Sequence, residues 1–344
     1  MRRCLASLLA LVLAAAVVAA GSADAKTAKK KPPPPAPLCA PRVLVLSAMP
    51  VELSAVLARY AALEPEKKLA TQTIAGHDYY VGGFRGDSIV VTMTGIGPVN
   101  AQRATDAAFD AFRCGHGSAI REVVFSGVAG GDYIGSVVVP DRWAYEYAHG
   151  VGIAWVDGRM LAAARRVVSS VNPLLRTTAP AGDPACGCVT SPDAVTTVPV
   201  THRPKLEVGG LGVTTDPFSG RALPCVPGGG DVFGCTPCAA QTNATRDGAA
   251  FAPGLVPFAD PSFFTGYFTS STTSPSSVAS DEESAAVALE AARLGAKFIA
   301  FRGVSDGGGD PLMLPGFPAQ FFYYRQLAAD NAATATFAFL GTGA

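Results

Sequence analysis

Three carboxylates stand at points where the chain changes from one kind of element to another. Asp306 follows an apolar run of strand length, Lys297 to Val304, and precedes a glycine cluster, Gly307 to Gly309. A carboxylate just past the carboxyl end of a buried parallel strand lies where open α/β folds place their chemistry, and Ser305 adds a hydroxyl beside it. Glu283 opens an Ala-rich stretch, Glu283 to Leu294, that is apolar on all sides and closed by Gly295, the pattern of a buried helix with a glycine cap. Glu52 falls in the first turn of a helix that runs to about Ala61, just after the strand Arg42 to Ser47, with Pro50 suited to that turn. Acids so placed can move protons, as paired acids do in glycoside hydrolysis. Each also has an ordinary explanation: Glu52 and Glu283 complement helix dipoles, and Asp306 caps a loop.

The elements that must position these acids alternate between strand and helix. Thr73 to Ala75, Tyr79 to Phe84 and Ser88 to Thr94 read as strands joined by turns at Gly76-His77-Asp78 and Arg85-Gly86-Asp87. Gly95-Ile96-Gly97-Pro98 leads into a helix from about Val99 to Phe112, and a glycine turn opening a helix can hold an anion or a water on its backbone N–H groups. Glu122 to Ser126 is another apolar strand, ending in the glycine-rich Gly127-Val128-Ala129-Gly130-Gly131, and Gly135 to Val139 a further one. Asp157 to Leu175 reads as a helix, and a last helix runs from about Ala319 to Leu340. Phe317, Phe321 and Phe322 either wall a pocket or pack in the core.

Composition bounds the compartment and the partners. With 344 residues, 49% hydrophobic and 16% charged, the chain can bury a full core. Its formal net charge of +0 gives no reason to expect nucleic acid as a partner. Residues 1–25 read as a signal peptide: Arg2 and Arg3, an apolar stretch Leu5 to Ala20, and the A-x-A site Ala23-Asp24-Ala25. Residues 26–38 form a Lys- and Pro-rich linker, and residues 39–344 a single domain with a Cys-rich insertion around 177–280. Export to the periplasm or outside the cell is therefore expected, with no membrane association once the signal is removed. Cys4 leaves with the signal. Cys39, Cys114, Cys186, Cys188, Cys225, Cys235 and Cys238 remain as disulfide candidates. The odd total leaves at least one thiol unpaired within a monomer. Cys39 and Cys114 each precede a parallel strand by a few residues and are expected to bond to each other. The C-x-C and C-x-x-C spacings are alternatively those of a zinc site, but no metal or other cofactor is expected.

The Glu-Ser-Ala-Ala-Val-Ala run at 283–288, the Arg-Gly-Val-Ser-Asp run at 302–306, the strand-Ala-Met-x-x-Glu opening at 42–52 and the glycine-rich segment after Ser126 together resemble the purine nucleoside phosphorylase superfamily. The resemblance is closest to its methylthioadenosine/S-adenosylhomocysteine nucleosidase branch and to related secreted and storage proteins. It spans roughly residues 42–176 and 281–340. It implies an α/β three-layer sandwich, a central mixed, mostly parallel twisted sheet flanked by helices, here with a disulfide-rich loop insertion. It also implies a homodimer or a higher homo-oligomer.

The resemblance assigns roles as well. Asp306, helped by Ser305, protonates the leaving purine; Glu283 holds the ribose hydroxyls; Glu52 activates the attacking water. Val128, Ala129 and Gly130 pass beneath purine and ribose, Gly97 lies near the nucleophile, and Phe218, in the segment Gly212 to Phe218, stacks on the base or packs in the core. Two departures stand out: Glu282 occupies a position usually filled by Met, and Val128 one usually filled by a small hydroxyl residue. No Arg directly follows Met49 or precedes Ser126-Gly127 to hold a phosphate, and Glu52 repels one. The expected activity is thus an exported nucleosidase that hydrolyses purine nucleosides or thio-nucleosides to free base and ribose. The alternatives are a nucleoside-binding or storage-type protein on the same scaffold, or a phosphate-dependent phosphorylase.

Overall fold

The computed structural model describes residues 39–147, 150–179, 198–227, 229–237, 277–314 and 316–343. The expected signal peptide, the linker, Cys186, Cys188 and Cys238 lie outside the described residues.

Twelve strands form one sheet: β1 (Arg42–Ser47), β2 (Ala70–Ile74), β3 (His77–Phe84), β4 (Asp87–Met93), β5 (Ile120–Tyr133), β6 (Val137–Val139), β7 (Arg142–Tyr147), β8 (Gly150–Trp155), β9 (Leu206–Val208), β10 (Leu211–Thr214), β11 (Ala279–Asp281) and β12 (Lys297–Gly308). The helices are α1 (Pro50–Leu63), α2 (Pro98–Ala111), α3 (Gly158–Val171), the single turn α4 (Gly230–Phe233), α5 (Ser284–Arg293) and α6 (Ala319–Leu340). The main strand order is β8-β7-β10-β11-β5-β1-β4-β3-β2, with β12 pairing β5 and β6, and β9 pairing β6.

The centre of this mixed sheet is parallel: β1 pairs β4 and β5, and β12 pairs β5 over most of its length. Antiparallel pairs lie toward the edges, where β2, β3 and β4 form a meander and β7 and β8 a hairpin. The central strands are apolar on both faces, as parallel strands covered by helices must be. Leu44, Val45, Leu46, Val123, Val124, Phe125, Ile299, Ala300 and Phe301 are all fully buried. Helices α1, α3 and α6 form one layer, in which α6 lies on β12 and β5 and touches both others; α2 packs on α5, which lies on β12 and β7. The close approach of α6 depends on Gly303, where a Cβ would stand 2.0 Å from the carbonyl oxygen of Ala328.

One sequence expectation changes. The strand expected at Glu122 to Ser126 is longer: β5 spans 14 residues and continues through the glycine-rich segment to Tyr133, because β12 on one side and β11 on the other complete its ladder. Within 177–280, β9 and β10 are members of the sheet, and β10 lies in the stretch that contains Gly212 to Thr214. No helix among the described residues is long and apolar enough to cross a membrane.

Cys39 and Cys114 are bonded, with Cα atoms 6.0 Å apart, and they tie the entry to β1 to the turn before β5. The bond closes a loop of 75 residues, so Cys114→Ser is expected to lower the unfolding free energy by roughly 2–4 kcal/mol through a freer unfolded chain. A urea denaturation curve compared with wild type measures this, and an unchanged midpoint would show that the bond constrains nothing.

Candidate active site

Glu52 is the third residue of α1, and α1 begins where β1 ends. That position sends its side chain back over the helix N-terminus, where N–H groups lack helical partners. Its Oε2 accepts from the N–H groups of Ala48 at 2.6 Å and Met49 at 3.1 Å, and its Oε1 from that of Val128 on β5 at 2.7 Å. The residue is 1% exposed. Burial pushes its carboxyl above the usual carboxylate range, against the opposing pull of Arg302 and the three N–H groups.

Glu283 closes the bend between β11 and α5. Its Oε1 accepts from the N–H of Gly97 at 2.8 Å and its Oε2 from Arg302 at 2.9 Å. Arg302, on β12 and 1% exposed, also pairs with Asp281 at 3.0 Å. Asp281 in turn accepts from the N–H groups of Glu283 and Ser284 and from the Thr214 hydroxyl, which fixes the start of α5. Burial raises the Glu283 carboxyl to about 7, with Arg302 opposing and Asp281 and Glu52 adding to the rise. Burial disfavours the charge on Arg302, but Asp281, Glu283 and Glu52 more than offset it and hold the guanidinium charged.

Asp306 lies at a break in the β12–β5 register, opposite Gly130. Such bulges re-aim a side chain. Ser305 donates to its Oδ1 at 2.8 Å. Burial raises the Asp306 carboxyl, with the Ser305 hydrogen bond opposing.

These acids line two adjoining compartments. The first, about 410 Å³, holds Glu52 and Glu283 among apolar walls that include Met49, Ile96, Phe218 and Phe321. The second, about 450 Å³, holds Asp306, Ser305, Ala129 and Gly130. Val128, Glu282, Phe317 and Phe321 line both, so the compartments meet along these four side chains. Burial first, then Glu283 and Asp281, push the Glu282 carboxyl well above its ordinary value. Phe317, Phe321 and Phe322 are wall residues.

Several expected contacts differ. The N–H of Gly97 is committed to Glu283 rather than open to an anion or a water. Phe218 is fully buried, lies against Gly97 and lines the first compartment, not the one that Asp306 lines. The glycines of β5 also make room for protein rather than only for ligand. A Cβ on Gly127 would stand 2.5 Å from a nitrogen of Arg302 and 2.8 Å from Glu52 Oε1, and one on Gly130 would stand 2.7 Å from Asp306 Oδ2. Arg302 and Asp281 were not singled out from sequence. The signal for Arg302 was a cation in the middle of the apolar strand that Lys297 opens, which requires buried anions to meet it.

A model of the phosphorylase superfamily matches residues 42–184. A Mycobacterium tuberculosis protein, the uncharacterized Rv2293c, is 40% identical over 205 residues, covering 58% of this chain and 78% of its own. Among solved structures, the futalosine hydrolase of Helicobacter pylori superposes with a TM-score of 0.53 at 14% identity, covering 88% of this chain and 98% of its own. A methylthioadenosine/S-adenosylhomocysteine nucleosidase of Colwellia psychrerythraea, in complex with adenine, gives 0.53 at 19% identity over 88% and 96%. The chain belongs to the phosphorylase superfamily, and its fold is that of these nucleosidases and hydrolases.

Two outcomes test this electrostatic arrangement. Arg302→Met leaves Asp281 and Glu283 buried without their cation and is expected to destabilise the fold by roughly 3–5 kcal/mol, read from urea unfolding. A loss below about 1 kcal/mol, the range of exposed pairs, would mean that the pair carries no such burden. Because the folded value for Glu283 lies above its unfolded one, the stability tied to its proton is complete below about pH 4.5 and is lost as pH rises through about 7. Glu283→Gln, which mimics the protonated form, is expected to be closer to wild type in stability at pH 5 than to fall below it, and to gain on wild type at pH 8. Parallel pH dependence of the two denaturation midpoints would contradict this.

Proposed function

We propose that this protein is an exported nucleosidase that hydrolyses the N-glycosidic bond of purine nucleosides or thio-nucleosides. The observation that carries the reading is the pair of adjoining compartments, with Glu52 and Glu283 in one and Asp306 in the other. A nucleoside spanning the shared boundary would have its base beside Asp306 and its sugar beside Glu283 and Glu52. The ion pair of Glu283 does not remove it from the cavity, since each carboxylate oxygen has a second lone pair for a sugar hydroxyl.

In this reading the water beside Glu52 gives up a proton to the carboxylate as its oxygen bonds to the anomeric carbon. The bond from that carbon to the base breaks, its electrons go to the base, and Asp306 supplies the proton that neutralises the leaving group. The raised Asp306 carboxyl suits an acid that must hold a proton near neutrality. Superfamily membership supports nucleoside chemistry in general.

The choice of water over phosphate has separate support. Among the described residues, neither compartment is lined by Lys or Arg. The buried Arg302 is already paired with Asp281 and Glu283, so a phosphate dianion would meet carboxylates without a cation of its own. The disulfides Cys39–Cys114 and Cys225–Cys235 favour an oxidising compartment and so support export.

Incubation of the mature protein with methylthioadenosine, adenosine and inosine is expected to release free base and free sugar without phosphate. Asp306→Asn is expected to lower kcat by about 10²–10⁴-fold while adenine affinity, read by calorimetry, changes little. Strict dependence on phosphate would instead make the protein a phosphorylase, and tight binding without turnover a nucleoside-binding protein.

A further inference from the structure

Two acids flank the floor of the second compartment from opposite sides. β5 forms that floor, and at Gly130 it is paired with β12 on one side, opposite Asp306, and with β11 on the other, opposite Ser280. Neighbouring strands lie about 4.8 Å apart, so the two flanking backbones stand roughly 10 Å apart across Gly130. Glu282 follows Ser280 by two residues, and its side chain lines both compartments, as that of Val128 does. Its chain neighbours Asp281 and Glu283 turn to Arg302. The Glu282 carboxyl instead has no hydrogen bond and no ion pair among the described residues. That sets it apart from Glu52, whose two oxygens accept three backbone N–H groups, and from Glu283, whose two oxygens are taken up by Gly97 and Arg302. Burial and the carboxylates around it favour its protonated form, and a protonated carboxyl has one O–H to donate.

The glycosidic nitrogen of a purine, N9, is joined through one carbon to N7 on one edge of the ring system and through another to N3 on the opposite edge. Both acceptors gain negative charge as the bond to the sugar breaks and its electrons enter the ring. A flat base lying over the floor, with its sugar in the first compartment, presents one of these edges to β12 and the other to β11. With Asp306 serving N7, N3 faces Glu282. We propose that Glu282 is a further catalytic residue, which donates its O–H to N3 of the base while Asp306 protonates N7. One proton moves: that of Asp306 goes to N7, so the base leaves neutral. The Glu282 proton stays on its oxygen, and its hydrogen bond strengthens as charge builds on N3. This inference rests on the nucleoside reading of the same site.

The test compares adenosine with 3-deazaadenosine, in which C–H replaces N3, in wild type, Glu282→Leu and Glu282→Gln. Wild type is expected to favour adenosine in kcat/KM. Glu282→Leu is expected to lower kcat/KM for adenosine by about tenfold or more, as loss of one hydrogen bond to developing charge implies, and to leave 3-deazaadenosine nearly unchanged. Glu282→Gln, whose amide N–H still donates, is expected to keep most of the wild-type ratio. Only the change in the ratio is read, so the different intrinsic reactivities of the two substrates cancel. A side chain that merely shapes the pocket would lower both substrates by the same factor; that result would overturn the role of Glu282 and leave the hydrolase reading standing. Where turnover is absent, dissociation constants of adenine and 3-deazaadenine, measured by calorimetry, decide instead, with 7-deazaadenine as the control whose ratio to adenine Glu282→Leu leaves in place. Absent turnover with the preference for adenine over 3-deazaadenine lost in Glu282→Leu would sink the hydrolase reading alone and keep the hydrogen bond to the base. Absent turnover with that preference untouched would sink both.

Discussion

One guanidinium organises the interior of this protein. Arg302 reaches from the central strand β12 into a space where Asp281 and Glu283 meet it at 3.0 and 2.9 Å, and it lies over the ring of Phe125 at 4.7 Å. Carboxylates taken out of water need a partner, and this cation is shared among them. Burial of the acids, the start of α5 and the lining of the first compartment all depend on it. The charge is also why Gly127 must lack a side chain, since guanidinium and Glu52 close in on its α-carbon from two directions. Whether such an ion pair stabilises the fold or only fixes its geometry differs between proteins; here it joins β11, α5 and β12 at one point, and that junction is where the candidate chemistry lies.

Much of the fold was legible because the chain is locally consistent. β1, the helix after it, and the last helix, Ala319–Leu340, carry plain apolar patterns and sensible ends. Asp306 and Glu52 could be found because strand ends and helix starts are few, and acids at them are conspicuous. The glycines from 127 to 131 misled in a definable way. Glycine argues against a strand interior on local grounds, yet here two flanking strands supply the ladder and the missing side chains are space for Arg302 and Asp306. Arg302 itself was hidden by its surroundings, since an apolar run with a cation in its middle is first read as strand and only afterwards as a buried charge.

The division of the site into two compartments follows from the same geometry. Phe218 is drawn against Gly97 and so faces the first compartment, whereas the bulge at Asp306 turns that acid to the other side of Val128 and Glu282. Glu282 stands at the seam, half-buried. An additional carboxyl at that place makes the boundary more acidic than three acids alone.

β5 has a consequence of its own. Its first half is the spine on which β1 and β12 are stacked, and its second half, Val128 to Asp132, is the floor of the second compartment. In many proteins a binding surface is made of loops that breathe while the framework stays still. Here floor and framework are one strand, continuous from Ile120 to Tyr133, although its pairing with β12 breaks at Asp306. Accommodation of differently shaped guests therefore falls to the opposite side, to Phe317 at 62% exposure and its neighbours, over a base that does not yield.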